Sequence, residues 1–171
     1  MKYSLLFIIA IAVFFTSCHK EATLPPITNN GANVLGCKVD GKIIIASGSA
    51  GSFGRVNGVR FYPPTTYGLI QIYAHGDNPK FEMFISFIYL DTPGTYQIIS
   101  TNRLGATYDN FATGSVPSGE SEFNTDSTHT GFIKITQFSD QQISGTFAFD
   151  AMNDGGKVVH LTEGRFDIGA H

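Results

Sequence analysis

From Asn33 onward the apolar positions recur every second residue, the period of strands and not of helices. The last third shows it most plainly. Residues 131–138 set Ile133 and Ile135 inward against Lys134 and Thr136. After Ser139-Asp140-Gln141-Gln142, residues 143–152 place Ile143, Gly145, Phe147 and Phe149 on one face. Asn153-Asp154-Gly155-Gly156 predicts a turn, and residues 157–168 return with Val159 and Leu161 inward. Past Glu163-Gly164 the inward set changes phase to Phe166 and Ile168. One extra residue produces such a switch, so the pattern predicts a β-bulge there.

Residues 34–39 and 42–46 flank Asp40-Gly41, a pair that accepts the positive φ angles of a two-residue type I′ hairpin turn. A Gly/Ser loop follows over residues 47–54, then a short strand over 55–61 that Pro63-Pro64 ends, because proline cannot donate to a ladder. Residues 68–75 and 80–90 form a second hairpin around Gly76-Asp77-Asn78-Pro79. Its second arm points Phe81, Met83, Ile85, Phe87 and Tyr89 at the core, and Glu82, Phe84, Ser86 and Ile88 the other way. A half-apolar second face predicts a central strand covered on both sides. Shorter strands are expected over residues 95–99, 106–112 and 120–124, the last two within a Ser/Thr/Asn/Gly-rich stretch at 101–130. Long irregular stretches of that kind are often functional. No helical stripe follows residue 18. The expected fold is all-β, a single antiparallel β-sandwich or barrel-like domain of about 8–11 strands.

The N-terminus follows another rule. Lys2 precedes an apolar run from Leu5 to Phe15, too short for the roughly 20 residues a membrane-spanning helix needs. A positive start, a short apolar stretch and small residues after it describe a secretory signal peptide. Phe15-Thr16-Ser17-Cys18 resembles a bacterial lipobox, with Phe15 where leucine is commoner. The expected organisation is a lipoprotein signal peptide at 1–17, a flexible tether from lipidated Cys18 through residue 32, and an all-β domain at 33–171. The competing readings are a secreted protein with a chance cysteine, or a retained anchor. Several acyl chains on Cys18 would hold the chain firmly on a membrane. The tether carries Pro25-Pro26 and Asn29-Asn30-Gly31, and fully extended it reaches roughly 50 Å.

Charge and cysteine content narrow the partners. Eleven basic against fourteen acidic residues leave a formal charge of -3, and nothing basic suits nucleic acid. Two cysteines exclude a disulfide-rich scaffold, and with Cys18 acylated no internal disulfide is available. Cys37 lies in an apolar strand pattern and reads as a buried structural thiol.

The candidate chemistry is sparse. None of the five histidines pairs with another at compact metal-site spacing, so neither a metal nor any other cofactor is expected. The acids are scattered through turns, where aspartate is common. Asp150 and Glu163 are expected to face each other across the last hairpin, near Arg165. No G-x-S-x-G elbow is present. The chain therefore reads as a non-catalytic binding or structural module, the alternative being a carbohydrate-active or other hydrolytic enzyme built on clustered carboxylates. Five aromatics are left as candidate ligand contacts: Phe61, Tyr62 and Tyr67 around the proline pair, and Tyr108 and Phe111 in the polar stretch. Exposed beside Asn, Asp and Thr, such rings suit glycan, peptide or protein recognition. Folded back, they would only cover the ends of the barrel.

Taken in order, the motifs Gly31-Ala32-Asn33-x-x-Gly36-Cys37-Lys38-Val39-x-Gly41-Lys42, Thr130-Gly131-x-Ile133-x-Ile135-Thr136, Ile143-Ser144-Gly145-Thr146-Phe147-x-Phe149 and Val158-Val159-x-Leu161-Thr162-Glu163-Gly164-x-Phe166 resemble a family of Bacteroidetes-type lipoproteins built on an all-β domain of unknown function. The resemblance implies a cell-envelope lipoprotein with an all-β domain, and the expected location is the outer membrane, reached through the lipid on Cys18. It implies no activity and no catalytic residues, and it leaves open whether the domain faces the periplasm or the outside.

Overall fold

The computed structural model describes residues 22–47, 57–62, 69–88, 93–100, 105–110 and 119–169. Within them the chain is all-β, and every pairing is antiparallel. The strands are β1 (Val34–Val39), β2 (Lys42–Ile45), β3 (Val59–Tyr62), β4 (Leu69–Asp77), β5 (Lys80–Ile88), β6 (Gly94–Ile98), β7 (Gly105–Asn110), β8 (Glu122–Asn124), β9 (Gly131–Ser139), β10 (Gln142–Met152) and β11 (Val158–Gly169). They form one curled sheet, a half-barrel, in the order β2-β1-β11-β10-β8-β7-β5-β4-β3. Long β10 serves two branches on one edge. Gln142 to Phe149 pair with β9, which carries β6 on its far side, and Met152 at the end of β10 pairs with Asn124 of β8.

Alternation puts one side chain in two inside the curl. Leu35, Phe81, Met83, Ile85, Ile133, Ile143, Phe147, Leu161 and Ile168 are fully buried there. Rings meet in the interior both between strands that do not pair and within the β10-β11 ladder. Phe61 of β3 stands edge-on to Phe138 of β9 at 6.1 Å, and Phe147 lies 6.0 Å from Phe149 and 6.3 Å from Phe166. β5 is central, between β4 and β7. The cover expected on its second face is not found among the described residues: Phe84 is half-buried and Ile88 is 52% exposed. A single curled sheet has only one inside.

The local devices explain the register. Asp40 (φ 47°) and Gly41 (φ 81°) both lie in the left-handed region and join Val39 to Lys42 in a two-residue turn. The bulge falls at Glu163-Gly164. Gly36 pairs with Arg165 and Lys38 with Thr162, so Cys37 opposes two residues instead of one. Glu163 takes a φ of 52°. Gly164 has no side chain because a Cβ there would lie 2.6 Å from the Phe147 ring. A second bulge, which the pattern did not announce, sits at Thr136: Ser144 pairs with Gln137 but Gly145 with Ile135. Beyond the first bulge, the expected facing of Asp150 and Glu163 does not occur. Asp150 pairs with His160, and Glu163 meets Lys38 of β1.

Part of the segment expected as free tether is docked. Arg165 donates to the Pro25 carbonyl at 3.2 Å, and the Pro25 ring lies over Gly36. The backbone N–H groups of Asn30, Gly31 and Ala32 all donate to the Asp167 carboxylate, at 3.0, 2.9 and 3.2 Å. Residues 25–32 thus cover the outer face of β11 and make Asp167, an outward-facing position, 1% exposed.

Candidate functional site

Cys18, Tyr67 and Phe111 lie outside the described residues. The other three aromatic candidates do not form one surface. Phe61 shares the inward face of β3 with Val59, and Tyr108 shares that of β7 with Ala106; each is 3% exposed. Tyr108 sits between Phe81 and Phe123, 6.2 Å from each. Burial pushes its phenol up to about 12, with Cys37 and Asp40 adding to the effect. Phe61 and Tyr108 are therefore core side chains and not ligand contacts. Strand parity decides it, since both positions alternate inward. Tyr62 faces outward, half-buried, with the Arg60 guanidinium 4.5 Å over its ring.

Three histidines each have an acid of their own. His160 Nδ1 is 2.7 Å from Asp150, whose hydrogen bond and charge raise the imidazole's pKa. His129 Nδ1 is 2.8 Å from Asp126. Asp126 also accepts from the backbone N–H of His129 and from both the hydroxyl and the N–H of Thr128. The His129 N–H leads the hydrogen bonds that hold its carboxyl well below the usual range. His75 Nε2 is 2.9 Å from Asp77. No group of three His, Cys, Asp or Glu suited to a metal occurs among the described residues.

Strand pairing assembles one charged feature that spacing could not show. His75 pairs with Glu82, Glu82 with Asp109, and Asp109 with Glu122, a row across the outer face of β4, β5, β7 and β8. Directly opposed side chains in such ladders have Cβ atoms about 4.5–5.5 Å apart. Burial first, then the charges of Glu122 and Glu82, pushes Asp109 up to about 6. The row can hold a proton on Asp109 in mildly acidic solution, a carboxylic acid beside carboxylates. It lies on the outside of the curl, where water reaches it.

The most heavily bonded carboxylate among the described residues is Asp167. Besides the three backbone donors it accepts from the Ser144 hydroxyl at 2.7 Å and the Gln142 amide at 3.2 Å. Burial alone would raise its pKa. Ser144, Thr28, Ala32 and Asn30 together outweigh that and hold it at about 2. Thr28 acts there through proximity, its hydroxyl making no complete hydrogen bond. A signal for Asp167 existed in the sequence, an acid between two inward residues of a strand, but its three backbone donors are more than 130 positions away.

Beside the docked segment, Ile27 and Phe132 border an open depression of about 210 Å³ floored by Thr146, Ala148 and Gly164. Ile27 is 63% and Phe132 45% exposed.

No curated protein and no solved structure matches this chain. The family described as Domain of unknown function (DUF6252) matches residues 64–168, which begins ahead of β4 and takes in the carboxylate row, both bulges and Asp167. Since that match covers more than half of the 171 residues, the chain belongs to the DUF6252 family.

Proposed function

We propose that this protein is a lipid-anchored component of a bacterial cell envelope, held on the outer membrane through acylated Cys18, and that its half-barrel is a non-catalytic binding or structural module. The observation that carries the reading is the apolar run from Leu5 to Phe15 ending in Phe15-Thr16-Ser17-Cys18. The docking of residues 25–32 on β11 supports it, because it couples the anchor closely to the folded domain. The interior is filled by aliphatic and aromatic side chains, so contacts with a glycan, peptide or envelope protein fall to the outer faces and loops.

The test is metabolic labelling with a palmitate analogue, comparing wild type with Cys18→Ser. Wild type should carry the label and sediment with membranes, and the variant should do neither. An unlabelled wild type defeats the reading. Protease shaving of intact cells, with a periplasmic control, then assigns the membrane face. Hydrolysis by the carboxylate row is the second reading, favoured by the raised pKa of Asp109. It requires turnover of a chromogenic glycoside or ester that Asp109→Asn abolishes.

A further inference from the structure

We propose that the flank of the half-barrel bordered by Ile27 and Phe132 rests on the lipid leaflet that carries the anchor. This rests on the acylation of Cys18 and adds an orientation to it.

Three observations converge. The first is where exposed apolar surface lies. Ile27, Ile88 and Phe132 are the large exposed hydrophobics among the described residues, and two of the three border one depression. Phe132 pairs with Ala148, so an apolar strip continues from β9 onto β10 beside Ile27.

The second is chain length. Residues 18–32 as a free tether would let the domain turn any face to the membrane. With Pro25 docked, Cys18 is seven residues away, a distance of about 25 Å at most along extended chain. Ile27 is itself part of the docked segment, nine positions from Cys18. The anchor therefore leaves the domain from this flank.

The third is charge. Lys134 is exposed on β9, pairs with Thr146 at the edge of the depression and has no ion pair among the described residues, while the one carboxylate lining the depression, Glu163, is paired with Lys38 and Arg165. A lysine there suits anionic headgroups. Two side chains and a lysine would not hold a free protein on a bilayer. With the anchor inserted, the contact is intramolecular and needs only to bias orientation.

The experiment uses the full-length chain, isolated from membranes and reconstituted in vesicles of phosphatidylethanolamine and phosphatidylglycerol. Phe132→Cys and Ile88→Cys each take an environment-sensitive fluorophore, since Cys37 is buried and acylated Cys18 cannot react. Both sites are partly exposed, so folding should survive. Mass spectrometry of Cys18 comes first, and an unmodified thiol removes the anchoring reading and this one with it. With Cys18 acylated, the label at 132 should lose most of its emission to brominated lipid while the label at 88 keeps its own. Equal quenching at the two sites overturns the orientation and leaves the anchoring intact. A label at 132 that is shielded in native membranes but unquenched in vesicles also overturns it, and assigns the flank to a protein partner.

Discussion

Replacing Asp167 by asparagine preserves the side chain's shape and removes its charge. In the native protein this carboxylate accepts from Asn30, Gly31, Ala32, Gln142 and Ser144. Its pKa is held at about 2 against an ordinary 3.8. At 1.36 kcal/mol per pKa unit, ionisation of Asp167 contributes about 2 kcal/mol to folding at neutral pH. The folded pKa is depressed, so that contribution is present above the unfolded value and is lost as pH falls through the folded one. Roughly half should remain at pH 3. The asparagine cannot titrate, and its amide donor would face donors. Urea unfolding of wild type and Asp167→Asn at pH 7 should differ by about 2 kcal/mol or somewhat more, the excess being unpaired N–H groups. The gap should narrow by about 1 kcal/mol at pH 3. Limited proteolysis should also cut residues 25–32 faster in the variant. A gap that is absent, or equally large at both pH values, would falsify the role assigned to this carboxylate.

Three further outcomes are expected. Asp109→Asn should raise the urea midpoint at pH 7 and leave it unchanged near pH 4. Asp109 has a raised folded pKa of about 6, so its ionisation between the unfolded and folded values costs stability; a lowered midpoint at pH 7 contradicts the reading. Gly164→Ala should destabilise by about 1–3 kcal/mol, because its Cβ would press on the buried Phe147 ring; an unchanged midpoint means the bulge is looser than described. Cys37 should resist a disulfide-exchange reagent at pH 8 until the protein is unfolded in urea. Burial pushes its thiol up to about 12, and prompt reaction of the folded protein would show an open core.

The strands and turns were readable along the chain because the forces that set them are local. The Asp40-Gly41 turn follows from which residues tolerate positive φ. The bulge at Glu163-Gly164 follows from a phase change in alternation that nothing else could produce. Burial of Cys37 follows from its apolar strand. What the chain did not disclose depends on pairing between distant strands. Phe61 and Tyr108 stood in expected strands yet counted as candidate contacts, because their inward parity takes meaning only from the curl that encloses them. The row from His75 to Glu122 exists because β5 lies beside β7 and β7 beside β8, and no residue within any one strand specifies its neighbour. Asp167 holds residues 30–32 across more than 130 positions, through backbone N–H groups that every sequence possesses. Alternation and turn chemistry act over a few residues and are written in side-chain identity. Curling of the sheet and capture of the N-terminal segment are settled by geometry among elements far apart in the chain.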